Sequence, residues 1–280
     1  MRLRLRRVPR VLCYHAIADL AGDPVLEQYS VPLPVFREQL DSLRRAGYRY
    51  ICADELLAYL EGRGRLPRRA LLLTFDDCYL DLLEDVLPEL LRRGIPAVAF
   101  AISGQLGGDN HWDQQLGGTA LQLLDTGGLA ALAHAGVEIG AHSRSHRRLT
   151  QVGGADLPGE TAGAAEDLRR AGLPAPRLFA YPFGDRSAQV QEAVACAGYR
   201  AAFTVSPGRV HRGSDPFAIP RVDIRRHHRG WRLRLRVALA GGGRLRRWLR
   251  WLKAVLPQRQ NPITKTMTEA ADAHQQQTTR

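Results

Sequence analysis

The sequence predicts an α/β protein with a mostly parallel sheet, closed into a barrel and followed by a basic C-terminal helical extension. Three observations predict it. Short runs rich in β-branched residues, leucine or alanine alternate along the chain with longer stretches of helical character. Those stretches end on glycine: Gly47, Gly94, Gly136, Gly172 and Gly198 follow Ala46, Arg93, Ala135, Ala171 and Ala197, where a helix terminus favours a left-handed residue. The charge is segregated as well. Of 40 Lys/Arg and 28 Asp/Glu, residues 225–280 hold 14 and 2, which leaves 26 of each sign in residues 1–224.

The elements follow in order. The first strand is expected at 11–15, an apolar run that ends Cys13-Tyr14-His15. A helix at 34–46 leads to a strand at 48–52 and a helix at 53–61. Next comes the most apolar strand, 70–75, with a helix at 79–93. Strand 97–102 precedes a glycine-rich insert, 104–128, and a helix at 128–135. The pattern then repeats: strand 137–141 with helix 160–171, strand 178–181 with helix 188–197, and strands at 201–205 and 218–222. This alternation gives a parallel sheet with helices between strands. The number of units favours a barrel over an open sheet. No glycine-rich phosphate loop joins a strand to a helix, which argues against a dinucleotide site.

The barrel is assigned to residues 8–224, a basic amphipathic extension to 225–256, and a Gln/Thr-rich tail, expected to be disordered, to 257–280. Within the extension, residues 231–239 alternate apolar and basic side chains. Residues 244–256 would place Leu245, Trp248, Leu249, Leu252, Val255 and Leu256 on one helical face. Such a face either lies on an anionic membrane surface, giving peripheral contact through residues 231–256, or packs on the barrel. The neutral balance of 1–224 argues against a nucleic-acid groove, and no nucleic-acid partner is expected. No window reaches 18 consecutive apolar residues, the length that spans a bilayer. The basic N-terminus lacks the apolar run of a secretory signal. The chain is therefore expected to be cytoplasmic, peripheral to the inner membrane face. Cys13, Cys52, Cys78 and Cys196 form no CxxC pair and are expected to be free thiols.

Three motifs sit at predicted strand ends, where the site of a parallel α/β fold lies. In Leu71-Leu72-Leu73-Thr74-Phe75-Asp76-Asp77, two adjacent carboxylates follow an apolar strand. They repel each other unless a cation separates their roles; the alternative is that one caps the following helix. His142-Ser143-Arg144-Ser145-His146 follows the strand at 137–141, and its histidines project together if the segment turns helically. One carboxylate with two imidazoles makes a three-ligand set with open positions, as in catalytic rather than structural metal sites. Phe179-Ala180-Tyr181-Pro182-Phe183-Gly184 forms a rigid turn that can aim a backbone N–H at a developing oxyanion.

In this order and spacing the motifs resemble the polysaccharide deacetylase family (carbohydrate esterase family four, the NodB-homology domain), over about residues 8–224. The resemblance implies a distorted (β/α)7 barrel. It implies Asp76 as general base and Asp77, His142 and His146 as ligands of a divalent metal. Zinc is expected first, and the donor set also accepts cobalt, nickel or iron. The Phe183 backbone N–H would help stabilise the oxyanion, and Tyr181 and Phe183 would line the sugar site. The family's late Leu-x-His motif is absent, and His211, His227 and His228 do not replace it. Cys13-Tyr14-His15 instead looks like the early Tyr-His of the permuted branch, which includes the biofilm poly-N-acetylglucosamine deacetylases. His15 is accordingly assigned as the acid. The arginine that usually tunes the base is replaced by Ala180, and Arg221 is the substitute. Cys78 stands where the family has glycine. Trp112-Asp113 resembles a Trp-acid segment of the family, either bracing the insert or riding on a loop over the cleft, and Trp112 is taken as a substrate contact.

The implied activity is metal-dependent removal of acetyl groups from N-acetylated sugars of a polysaccharide or glycolipid, in cell-surface or exopolysaccharide biosynthesis. The competing readings are an O-acetyl esterase, an amidohydrolase on a small C–N substrate, and a catalytically inactive glycan-binding protein.

Overall fold

The computed structural model describes residues 8–206 and 208–240. Its elements are β1 (Arg10–Tyr14), α1 (Leu33–Arg45), β2 (Arg49–Tyr50), α2 (Ala53–Leu60), β3 (Ala70–Phe75), α3 (Leu87–Arg93), β4 (Ala97–Ala101) and α4 (His111–Gln114). They continue with α5 (Thr126–His134), β5 (Glu138–Ala141), α6 (Leu157–Arg170), β6 (Leu178–Ala180), α7 (Ala188–Cys196), β7 (Ala201–Thr204), β8 (Ile219–Pro220), β9 (Val222–Asp223) and α8 (Gly230–Leu239). Each expected strand is present, most within a residue of its expected ends. Two depart from expectation. The strand at 48–52 shrinks to the two residues of β2, and the strand at 218–222 breaks at Arg221 into β8 and β9.

That break closes the sheet. All pairings are parallel, in the order β8-β7-β6-β5-β4-β3-β1-β9, with β2 also on β3. β8 pairs with β7 (Phe203↔Ile219) and β9 pairs with β1 (Leu12↔Val222). One interrupted strand therefore bridges the first and last full strands, and the sheet becomes a distorted seven-position barrel.

Period-two alternation sorts the strand residues into two cores. Leu71, Leu73, Phe75, Ala99, Ile139, Phe179, Tyr181 and Ala202 face the outer layer of helices. Val11, Leu72, Val98, Phe100, Leu178, Ala180, Phe203 and Ile219 fill the barrel interior, which α2 closes with Leu56, Leu57 and Leu60. The interior is tight. A Cβ on Gly140 would stand 2.5 Å from the Phe100 ring, so only glycine fits where β5 passes that side chain.

The helix expected at 79–93 begins instead as a π turn, Leu82–Val86, in which the Leu87 N–H donates to the Leu82 carbonyl. Pro88 supplies the reason: it has no N–H to continue the regular ladder. Just ahead of this turn, Asp81 accepts the Ile17 N–H through one oxygen, while the other is buried without a hydrogen-bond partner among the described residues. Burial pushes the Asp81 carboxyl up to about 7, with the Ile17 bond opposing and Asp85 adding to the rise. A raised carboxyl contributes stability that is present below pH ~4 and is lost as pH rises through about 7. The loss should reach roughly 2–4 kcal/mol. Asp81→Asn is expected to remove this slope and to be the more stable form at pH 8. Unfolding curves at pH 4, 6 and 8 that fall in parallel for both proteins would refute it.

The start of the basic extension packs on the barrel. Leu233 and Val237 of α8 are fully buried in the same outer layer as Phe36, Leu40 and Leu43 of α1. Burial of such side chains is worth roughly 1.5–3 kcal/mol each. Gln39 donates to the carbonyls of Arg225 and His228, and the Arg10 guanidinium reaches the carbonyls of Val237 and Ala238 at the end of α8. The amphipathic face expected at 244–256 and the tail at 257–280 lie outside the described residues. No described helix is long and apolar enough to cross a membrane.

Candidate metal and hydrolytic site

The alternation that puts Leu72 and Thr74 inside the barrel puts Asp76, one step past β3, at its inner mouth. Its N–H continues the ladder to the Tyr14 carbonyl. Asp77 and Cys78 then adopt left-handed backbone, φ 69° and 58°, a conformation that costs a non-glycine residue about 1–2 kcal/mol. This turn brings both neighbouring carboxylates to one cleft. On a continuing strand they would point to opposite faces.

His142 stands one residue past β5, its N–H donating to the Ala101 carbonyl. The segment between His142 and His146 is not a helical turn. Ser143 and His146 are left-handed (φ 63° and 57°), and Ser143 Oγ accepts the His146 N–H. The rings still meet, with centroids 5.1 Å apart. Glu160, near the start of α6, decides this loop shape by accepting the N–H groups of Arg144 and Ser145 and the Ser145 hydroxyl.

His142 Nε2 and His146 Nε2 lie 3.5 and 3.4 Å from Asp77 Oδ1. That oxygen is buried and has no hydrogen-bond partner among the described residues, an expensive condition for a carboxylate unless a cation meets it. Two donors ~2.0–2.1 Å from one tetrahedral ion stand about 3.4 Å apart. The spacing, the orphaned oxygen and the donor types together fit a divalent ion with positions left open. His142 Nδ1 lies 2.8 Å from the Ala180 carbonyl, which fixes its proton there and leaves the Nε2 lone pair facing Asp77. Burial pushes His146 down to about 4, with Asp77 opposing, so its ring is neutral at pH 7. Glu160→Ala is expected to weaken metal affinity roughly 10- to 100-fold by freeing the loop. Competition against a chelator should read this, and unchanged affinity would show that the loop holds itself.

Asp76 faces a different partner. Arg221, at the break between β8 and β9, is fully buried and donates from Nη1 to Oδ1 (2.6 Å) and from Nη2 to Oδ2 (2.7 Å). Nη1 also donates to Thr74 Oγ1, and the Cys13 thiol donates to Asp76 Oδ2 at 3.3 Å. Burial alone would raise the Asp76 carboxyl. Arg221 overrides it, with His142 and His15 adding, and holds the group well below the usual range. His15 follows β1, with Nε2 4.0 Å from Asp76 Oδ2 and its ring 5.1 Å from that of Tyr29.

A cleft of about 350 Å³ opens over these groups. The Trp112 ring lies 4.4 Å from His146, and the Phe183 ring lies 4.9 Å from it on the other contact. Phe183 is left-handed (φ 59°). The bonds of its turn run from Gly184 N–H to the Tyr181 carbonyl and from Asp185 N–H to the Pro182 carbonyl, and neither uses the Phe183 N–H. Asn110, fully buried, braces the 104–128 insert through the Leu121 N–H and the Thr119 carbonyl, which sets Trp112 in place.

One expected contact fails. Tyr181 is fully buried, its hydroxyl donates to the Phe217 carbonyl, and it does not line the cleft. As the next residue of the β6 alternation after Ala180, it belongs to the outer layer. The structure thus brings together Asp76, Asp77, His142, His146, His15, Arg221, Phe183 and Trp112, and leaves Tyr181 out. It adds Tyr29, Arg148, Arg225 and Arg236 to the lining, and Glu160 behind it. Glu160 reads in sequence as an ordinary acidic residue of a helix's first turn, and the arginines carry no motif.

Residues 63–202 match the family model described as polysaccharide deacetylase. The poly-β-1,6-N-acetyl-D-glucosamine N-deacetylase of Staphylococcus epidermidis is 24% identical over 215 residues, covering 74% of this chain and 72% of its own. IcaB from Ammonifex degensii superposes with a TM-score of 0.71 at 24% identity, covering 82% of this chain and 97% of that one. The Streptococcus pyogenes deacetylase PplD, solved in complex with acetate, gives 0.70 at 19% identity, covering 82% and 98%. These two likenesses are of fold.

Proposed function

The chain belongs to the polysaccharide deacetylase family, and from that premise we propose that it hydrolyses the acetamide of N-acetylated sugars in a polysaccharide or glycolipid of the cell surface. The observation that carries this reading is the convergence of Asp77 Oδ1, His142 Nε2 and His146 Nε2 beside an Asp76 held by Arg221. The Staphylococcus epidermidis relative, named for poly-β-1,6-N-acetyl-D-glucosamine, supports the N-acetylated sugar class.

Each residue has a role in this reading. Asp77, His142 and His146 would hold a divalent ion, zinc first, which would supply Lewis acidity toward the attacking water and the acetyl carbonyl. Asp76, ionised by Arg221, is always ready to accept a proton but is a weak base, so it needs a water made more acidic than bulk. The Phe183 N–H, left unused by its turn, faces the developing oxyanion. His15, on the Asp76 side, delivers a proton to the departing amine. Trp112 and Phe183 present ring faces to the sugar.

Acetate release from N-acetylglucosamine oligomers, with metal content measured on the same samples, tests the reading. Loss of metal and activity together in Asp77→Ala, and a fall of roughly 10²–10⁴ in His15→Ala with metal retained, are expected. Metal-loaded protein that releases acetate from O-acetylated sugars but not from N-acetylated ones would move it to the esterase reading. No release from either would leave a glycan-binding role.

Peripheral membrane contact is part of the proposal. Trp231 and Leu235, one turn apart on α8, are 62% and 46% exposed beside Arg232 and Arg234, as suits an anionic bilayer surface at the cytoplasmic side. Equal flotation of wild type and Trp231→Ala/Leu235→Ala on anionic vesicles would remove this contact.

A further inference from the structure

We infer that the cleft selects sugars bearing a phosphate or carboxylate close to the acetamide, a selection that rests on the deacetylase reading and narrows its substrate. The charge inventory of the lining points there. Four carboxylates line the cleft: Asp76, Asp77, Asp113 and Asp223. Asp76 is neutralised by Arg221, and Asp223 accepts from Arg225 Nε at 2.7 Å. Asp77 belongs to the metal-ligand set. Among the remaining lining groups Asp113 stands against Arg148. A divalent ion at Asp77 adds a further net positive charge. The loaded cleft is therefore cationic, although residues 1–224 as a whole are neutral.

Two of these arginines stand one aromatic ring away from residues of the site. The Arg148 guanidinium lies 4.3 Å from the centre of the Phe183 ring, itself 4.9 Å from His146. Arg225 lies 5.8 Å from the centre of the Tyr29 ring, itself 5.1 Å from His15. An aromatic face for the sugar with a guanidinium beside it matches a pyranose carrying an anionic substituent.

Arg148 is the most telling. Some arginines at the surface engage carboxylates, such as Arg144 with Asp167 and Arg229 with Glu38, and others, such as Arg68 and Arg147, do not among the described residues but lie outside the cleft lining. Arg148 is exposed and has no ion pair among the described residues. Its fork of donors is free to meet an oxyanion at the mouth. The chemistry gives a second reason. Deacetylation leaves an ammonium on the product, which a cationic lining repels. An anionic substituent on the same sugar offsets that repulsion and keeps the substrate in the cleft beforehand.

The test compares N-acetylglucosamine 1-phosphate, N-acetylmuramic acid and N-acetylglucosamine with metal-loaded full-length protein. Acetate release should show kcat/KM roughly 10- to 100-fold higher for at least one anionic sugar, the span of one or two charge-assisted hydrogen bonds. Which of the two leads separates phosphate from carboxylate. In Arg148→Gln the anionic-to-neutral ratio should fall at least about fivefold, and rising salt should lower it in the wild type. Arg236→Gln is a second variant, read with its melting temperature because α8 packs on the barrel. A wild-type ratio near one overturns the inference. So does an Arg148→Gln loss shared equally by all three sugars, which would mean that Arg148 only steadies Phe183. No release from any sugar would sink the deacetylase reading itself. Calorimetric binding would then decide the inference alone. Tighter binding of N-acetylglucosamine 1-phosphate than of N-acetylglucosamine, lost in Arg148→Gln, supports it, and equal binding overturns it.

Discussion

Replacing Asp76 by asparagine is expected to lower kcat for acetate release by roughly 10²–10⁴-fold, the usual contribution of a positioned general base, with bound metal retained. The ligand atoms of Asp77, His142 and His146 are untouched by the change, so metal content separates a lost base from a lost ion. The amide oxygen can still accept from Arg221, but the –NH2 that replaces the other oxygen is a donor and cannot, and the amide cannot take a proton from water. KM should move far less than kcat, because in the proposed reaction Asp76 would act on the attacking water rather than on the sugar. A fully metal-loaded variant keeping more than about a tenth of the wild-type kcat would take the base role away from Asp76.

Arg221→Met carries the largest expected effect on stability, about 3–5 kcal/mol. The side chain is fully buried, and both its terminal nitrogens are spent on Asp76 at 2.6 and 2.7 Å. Removing it leaves a buried carboxylate with the Cys13 thiol as its remaining neutral donor. Burial then dominates, the carboxyl is driven toward its protonated form, and the base is lost along with the stability. Combining Arg221→Met with Asp76→Leu should recover most of the stability and none of the activity, because a buried pair replaced by apolar groups of similar volume is close to neutral. Denaturant unfolding of the four metal-free proteins measures the cycle. A single-variant cost below about 1 kcal/mol would mean that water reaches Asp76 and that the pair contributes little.

Much of the site was legible because it is written locally. An apolar strand followed by Asp76-Asp77, a second followed by His142, and a third followed by Pro182-Phe183-Gly184 need only the rule that parallel strands end on one face. Cys13-Tyr14-His15 is legible for the same reason. The buried place of Tyr181 could also have been read, by continuing the alternation of β6 from Leu178 and Ala180 inside to Phe179 and Tyr181 outside. The i, i+4 spacing of the histidines brings the rings together on a helical turn, and here they meet without one. Spacing fixes how far apart two side chains are along the chain, whereas Ser143 and Glu160 fix how the chain turns between them.

The sequence by itself determined the strand and helix order and the residues that converge as a candidate metal-ligand set, Asp77, His142 and His146, because periodicity and nearest neighbours encode these. Only the tertiary structure decided the two-point geometry by which Arg221 holds Asp76 across 145 residues of chain, that Glu160 shapes the histidine loop, and that α8 brings Arg236 to the cleft. The physical reason is ring closure. A strand broken at Arg221 has to reach β7 with one half and β1 with the other. Which distant side chains then face the interior depends on the barrel's register, and no local pattern records that register.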